Sequence, residues 1–204
     1  MKINEARQIL DDFVGRLTST LAFRRTKCLV YSRGVNEATA ILSFPCRVDP
    51  RGFAAFTVGV GLRFESIARW LDDGPEEATF GTPIHFLRED KNFTEWKFSD
   101  SNDLERLFSA VLDDLSNLAI PFIERYSTLS ELRGAVESSN PRDWVNLGLD
   151  VDRRVNVLAA IQLIQGDTAG AIEILDNALL ERRTALPKRR FEIEYLRKRV
   201  VQAN

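Results

Sequence analysis

Histidine occurs once in this chain, at His85, and cysteine only at Cys28 and Cys46. The common zinc and iron centres need several His or Cys ligands, so neither a metal nor another cofactor is expected. A Ser-His-Asp set would have to recruit His85, yet no Gly-x-Ser-x-Gly elbow is present. No apolar run has membrane-spanning length, and the opening "MKINEARQILDD" lacks the apolar stretch of a signal peptide. Positive charge is not in excess. Twenty-eight Lys and Arg against 30 Asp and Glu leave a formal charge of −2, which gives no general attraction for nucleic acid or anionic lipid. The cysteines lie in strand-like surroundings, out of register with each other in the hairpin read below. Two reduced, buried thiols and a cytoplasmic location are expected.

What is present suits a folded chain. Of 204 residues, 44% are hydrophobic and 28% charged, and thirteen Phe with three Trp supply a core. The stretch "GFAAFTVGVGLRF" (Gly52–Phe64) could be taken for a phosphate loop. Its even positions, Ala54, Phe56, Val58, Val60, Leu62 and Phe64, are all apolar, while Thr57, Gly59, Gly61 and Arg63 fall between them. That period of two marks a strand with one buried face, and no Gly-Lys-Ser/Thr follows. Glycines on one side of a strand signal close packing above them or a shallow groove.

The remaining pattern is an α+β fold: an antiparallel sheet of about five strands flanked by helices, followed by a C-terminal helical module. Ile3, Ile9, Leu10, Phe13, Val14, Leu17 and Leu21 predict an amphipathic helix ending near Thr20. "KCLVYSRGVNEATAILSF" predicts a hairpin turning near Gly34, in a segment where Gly34 and Asn36 can both take positive φ, with Cys28 opposite a residue around Leu42. "TPIHFL" and "TEWKFS" predict two short strands around a "REDKNF" turn. Ser101 or Asn102 caps the next helix, and Pro121 kinks or restarts it. "TLSE" fits a capping box, and "NPRD" places Pro at a first helical position. Two helices then join at Gly166-Asp167, and a last one opens near Pro187. A seam near Ser138 to Asn140 divides a sheet domain, 1–138, from a helical part, 139–204, packed on it.

The carboxylate pairs Asp11-Asp12, Asp72-Asp73, Glu76-Glu77 and Asp113-Asp114 read as solvated surface, although "DDGPEEA" would also serve as an acidic lip for a basic partner. The basic tail "ERRTALPKRRFEIEYLRKRV" has no aromatic stacking platform beside its charges, and dipole and packing uses account for it.

From Ala6 to Ser138 the chain resembles the bacterial domain of unknown function numbered 4304. The likeness is carried by the entry "LAFRRTKCLVYSR", by "FTVGVGLRF", by the Trp-containing "TEWKF" and by a helix ending "LAIPFIERY". That resemblance implies a role such as immunity against secreted bacterial toxins and carries no catalytic residues. Val155–Leu179 resembles one tetratricopeptide hairpin, with Leu158, Ala159, Ala171, Leu175 and Ala178 at the repeat's apolar positions. One copy does not make a solenoid.

Three functions follow as expectations. The first is a non-enzymatic protein that binds another protein through a polar sheet face bearing Thr57, Gly59, Gly61, Arg63, His85, Glu95 and Lys97, or through the helical tail. The second is a small-ligand receptor or enzyme with a pocket around Gly59, Gly61, Arg63 and His85, where Arg63 would hold an anion and His85 would move a proton. The third is a nucleic-acid binder acting through the basic tail, with salt-dependent affinity.

Overall fold

Ala54, Phe56, Val58, Val60, Leu62 and Phe64 are all 2% exposed or less, but Ala55, Gly61 and Arg63 between them are buried as well, so the stretch does not have the single buried face its alternation predicts. It does not make one strand. In the computed structural model, which describes residues 1–74, 77–90, 92–140, 143–144, 146–181 and 187–202 (side chains of 187–190 excepted), the stretch serves two sheets. β5 (Ala54–Phe56) lies between β4 (Cys46–Val48) and β8 (Trp96–Phe98) in a three-stranded antiparallel sheet. β6 (Gly59–Arg63) lies between β3 (Ala38–Ser43) and β7 (Phe80–Pro83) in a five-stranded sheet of order β1-β2-β3-β6-β7, with β1 at Arg24–Lys27 and β2 at Val30–Val35. Thr57 and Val58 carry the chain from one sheet to the other. The fold is α+β.

The helices are α1 (Ile3–Ser19), α2 (Glu65–Leu71), α3 (Ser101–Asp114), α4 (Ile120–Tyr126), α5 (Leu129–Glu137), α6 (Val151–Ile164), α7 (Thr168–Glu181) and α8 (Pro187–Gln202). Two units result. The first comprises residues 1–62 and 81–127, the second 63–80 and 128–204. The expected seam at Ser138–Asn140 therefore falls inside the second unit.

The core of the first unit is aromatic. The ring of Phe56 stacks on Trp96 at 5.3 Å and meets Phe13, Phe44 and Phe98 at 6.3, 6.5 and 6.2 Å. Phe13, on the apolar stripe of α1, also meets Phe108 of α3 edge-on. The opposite side of α1 contributes a polar tie. Asp11 Oδ1 accepts from the Leu29 amide at 3.0 Å and from the Tyr31 hydroxyl at 2.9 Å, and its Oδ2 pairs with Arg25. This holds the turn between β1 and β2, where Leu29 takes the left-handed conformation (φ 57°). Burial, and then the bond to Asp11, push the Tyr31 phenol far above its ordinary range.

Several local expectations change. The β2–β3 turn is at Asn36-Glu37 rather than near Gly34, so Tyr31, not Cys28, faces Leu42. Asn36 supplies the positive φ (49°), and both turn residues donate to Ser127, Asn36 to its hydroxyl at 2.6 Å and Glu37 to its carbonyl. Cys28 is displaced into the exposed β1–β2 turn and Cys46 is half-buried; neither is disulfide-bonded. "TPIHFL" is extended only through Pro83, after which Ile84–Leu87 form a 3-10 turn whose first amide bonds the Val58 carbonyl. Asp100, rather than Ser101 or Asn102, caps α3 by accepting from the amides of Asn102 and Asp103. Ahead of Pro121 the helix widens into a π turn, Leu115–Ala119, in which the Ile120 amide reaches the Leu115 carbonyl. The wider turn gives the proline ring room without breaking the helix. Thr128 caps α5 through the Glu131 amide, as its box predicts. Pro141 and Arg142 of "NPRD" lie outside the described residues.

Gly59 and Gly61 of the quoted stretch serve close strand packing, whereas Gly52 takes a positive φ (94°) in an open turn. A Cβ on Gly81 would stand 2.8 Å from the Val60 carbonyl oxygen and 3.0 Å from the Gly61 Cα, and one on Gly59 would meet Ser43 Oγ at 2.5 Å.

Phe56→Ala should cost about 3–5 kcal/mol of stability in urea melts, since four rings lose their common neighbour. Gly81→Ala should cost about 1–3 kcal/mol and Gly59→Ala less, because backbone blocks the first and a rotatable hydroxyl the second. The Tyr31 contribution is complete below the ordinary phenol pKa of about 10 and is lost as pH rises toward the raised folded value. The stability gap between the wild type and Tyr31→Phe should therefore narrow above about pH 10 in urea melts run at increasing pH.

Candidate functional site

In the first unit, a surface is built where two irregular segments meet. Pro83 fixes an extended entry, and the 3-10 turn that follows packs against the π turn Leu115–Ala119. Within that 3-10 turn, Ile84 is buried as a strand would have it, but His85 is buried too and Phe86 is 46% exposed, so the expected alternation fails at those two residues. The His85 ring lies between two phenylalanines, 4.5 Å from Phe86 and 5.1 Å, edge-on, from Phe93, which is 67% exposed. His85 Nδ1 is buried and finds no hydrogen-bond partner among the described residues. Arg88, just beyond the turn, is ion-paired with Asp114 at the end of α3, and Asp90 accepts from the Asn92 amide and side chain. The Asn92 bonds hold the Asp90 carboxyl below the usual range. The loop that presents Phe93 is thus tied down at its polar residues and bare at its aromatic one.

The residues expected to share one polar face are distributed more widely. Thr57 is half-buried in the crossing between sheets, and its amide bonds the Pro45 carbonyl. Gly59 is half-buried and Gly61 buried, both in strand contacts. Glu95, just before β8, takes two 2.7 Å bonds from Arg47, and the Lys97 ammonium stands 5.3 Å over the Phe53 ring. Both belong to the three-stranded sheet, whereas Gly59 and Gly61 belong to the five-stranded one. Arg63 belongs to the second unit. It is 9% exposed and engaged there, its Nε with Glu65 and its Nη1 with the carbonyls of Gly74 and Glu77.

The acidic loop is not simply solvated. The Asp73 side chain is 6% exposed and takes a two-pronged bond from Arg153 of α6, which also donates to the Thr79 carbonyl. In the tail, Arg197 pairs with Asp176 and Arg199 with Asp72, so these charges serve the unit's own packing. Arg182 and Arg183 lie outside the described residues, as do the side chains of Lys188, Arg189 and Arg190.

Sequence reasoning selected His85 but missed Phe86 and Phe93 as its neighbours. The available signal was a phenylalanine closing the charged turn "REDKNF", where burial has no periodic support. Among the described residues, no three His, Cys, Asp or Glu side chains gather where they would hold a metal ion, and no helix is long and apolar enough to cross a membrane. No family model matches the chain, and neither a curated protein nor a solved structure does.

Proposed function

We propose that this chain is a non-enzymatic protein-interaction protein and that another protein docks on the first unit over Phe86 and Phe93. The role is of the kind that resemblance to domain 4304 implies, neutralisation of a bacterial toxin in the cytoplasm. The observation that carries this reading is the exposure of two phenylalanines beside a buried histidine whose Nδ1 has no partner among the described residues. Single exposed apolar residues are ordinary on a protein surface, whereas an aromatic pair around a buried polar group has the composition of an interface centre. Covering a phenyl ring gains about 1.5–3 kcal/mol, and a buried nitrogen without a partner costs about 1–3 kcal/mol that an incoming donor or acceptor recovers.

Capture from the native host with the full chain as bait should yield a stoichiometric protein. Phe86→Ser combined with Phe93→Ser should weaken that complex by roughly 30-fold or more, the loss of about 2 kcal/mol at an interface anchor. Both side chains are exposed, so the melting curve should stay nearly unchanged. A partner that binds the double variant as tightly as the wild type overturns the docking site, and failure to recover any stoichiometric protein overturns the reading itself.

A further inference from the structure

The second unit holds a cavity of about 330 Å³ where the end of α2 and the loop after it face α6 and α8. Its chemistry is one-sided. Four carboxylates line it, those of Asp72, Asp73, Glu77 and Glu192. Two are already compensated: Asp73 by the bidentate Arg153, and Asp72 by Arg199 at 3.0 Å and by the Tyr195 hydroxyl at 2.6 Å. The Tyr195 bond, and after it Arg199, hold the Asp72 carboxyl below its usual range, so it stays charged. Glu77 and Glu192 have no cationic partner among the described residues; the Glu77 carboxylate accepts only the Gly74 amide, at 3.3 Å.

A second and independent observation comes from α6. Asn156 lines the same cavity, is 5% exposed, and its Oδ1 accepts no hydrogen bond among the described residues. A buried amide oxygen without a donor is costly, and it asks for an N–H from outside the chain. Aromatic surface completes the wall. Phe191, 64% exposed, stacks on Tyr195 with ring centroids 6.3 Å apart and planes at 20°. Tyr195 in turn carries the Arg199 guanidinium 5.8 Å from its ring centre. Residues 191, 195 and 199 follow one another at helical spacing, so the stack runs along α8 and leaves the Phe191 ring exposed.

Acceptors, negative charge without a cationic partner among the described residues and an open aromatic face select a ligand that is cationic, rich in N–H donors and flat. A primary ammonium meets the first two demands as a compact, strongly hydrated charge, whereas a guanidinium meets all three: it is planar, weakly hydrated, stacks on rings and binds carboxylates with two parallel bonds. The geometry points to a receptor for a guanidinium group, stacked on Phe191, with its N–H groups directed to Glu77, Glu192 and the Asn156 oxygen. Such a group is carried by an arginine side chain of a protein or by a small free guanidine. The site lies wholly in the second unit and does not draw on the docking surface proposed for the first.

The test titrates the ¹⁵N,¹³C-labelled full chain with N-acetyl-arginine methylamide, its lysine and citrulline counterparts, and agmatine, following the Asn156 side-chain amide by its ¹⁵N–¹H signals and the Tyr195 ring by its ¹³C–¹H signals. The arginine probe should give saturable shifts at both positions, the lysine probe weaker ones, and the neutral citrulline probe none. Glu77→Gln with Glu192→Gln, both at exposed positions, should weaken binding roughly tenfold or more, as expected when charge-assisted bonds become neutral ones. Asn156→Leu should weaken it while the melting curve shows a folded chain. Agmatine binding below the affinity of the blocked arginine assigns the site to a protein side chain, and the opposite order to a free guanidine. Equal response to citrulline or to lysine, binding unaffected by the two Gln substitutions, or no shift at all overturns the proposal.

Discussion

The first unit is organised by the single ring of Phe56. It occupies the last position of a three-residue strand, and immediately after it the chain leaves one sheet for the other. A short strand has few ladder bonds to hold it, so its placement rests on side-chain contact. Phe56 touches Phe13 from α1, Phe44 from the loop after β3, and Trp96 and Phe98 from β8, which ties a helix and the three-stranded sheet to one rigid group. Helix α1 then works with two faces. Its apolar stripe sends Phe13 to that cluster, and Asp11 reaches the turn before β2 with directional bonds. Apolar contact tolerates sliding, whereas a carboxylate shared among an amide, a phenol and a guanidinium does not. Together they fix both the depth and the register of the elements they join.

Features that a local stretch determines were legible in the sequence. The period of two from Ala54 to Phe64, the stripe of α1, the Thr128 cap and the joint at Gly166-Asp167 each follow from spacing or from one residue's conformational preference. The features that were not legible depend on distant partners. Nothing between Ala54 and Phe64 signals that the stretch is split between two sheets, because the strands that pair with β5 and β6 come from elsewhere in the chain. The β2–β3 turn falls at Asn36 because Ser127, far along the chain, takes its side-chain amide. Gly34 was the better local candidate and lost to that contact. Asp73 looked like one more surface carboxylate, since the guanidinium that buries it comes from Arg153.

The candidate surface around His85 shows the same limit. A single histidine between Ile84 and Phe86 has strand-like spacing, and only Pro83 hints at a stop. The 3-10 turn is imposed by what it packs on, a π turn that exists because Pro121 needs a wider helix ahead of it. Two departures from regular geometry thus support each other, and the cost falls on His85, whose Nδ1 is left without a bond. A chain under selection for stability alone has an easy remedy in an apolar residue of similar size.

In the second unit, the loop from Asp72 to Thr79 is gripped by two arginines. Arg63, nearly buried, donates to the carbonyls of Gly74 and Glu77, while Arg153 holds the Asp73 carboxylate and the Thr79 carbonyl. Guanidinium groups suit this work because their donors point in fixed, coplanar directions, so each grip sets an orientation as well as a distance. Around these held carbonyls the Glu77 side chain is exposed. Arg63, expected to hold an anion, thus acts inwardly, as the half-buried Arg153 does.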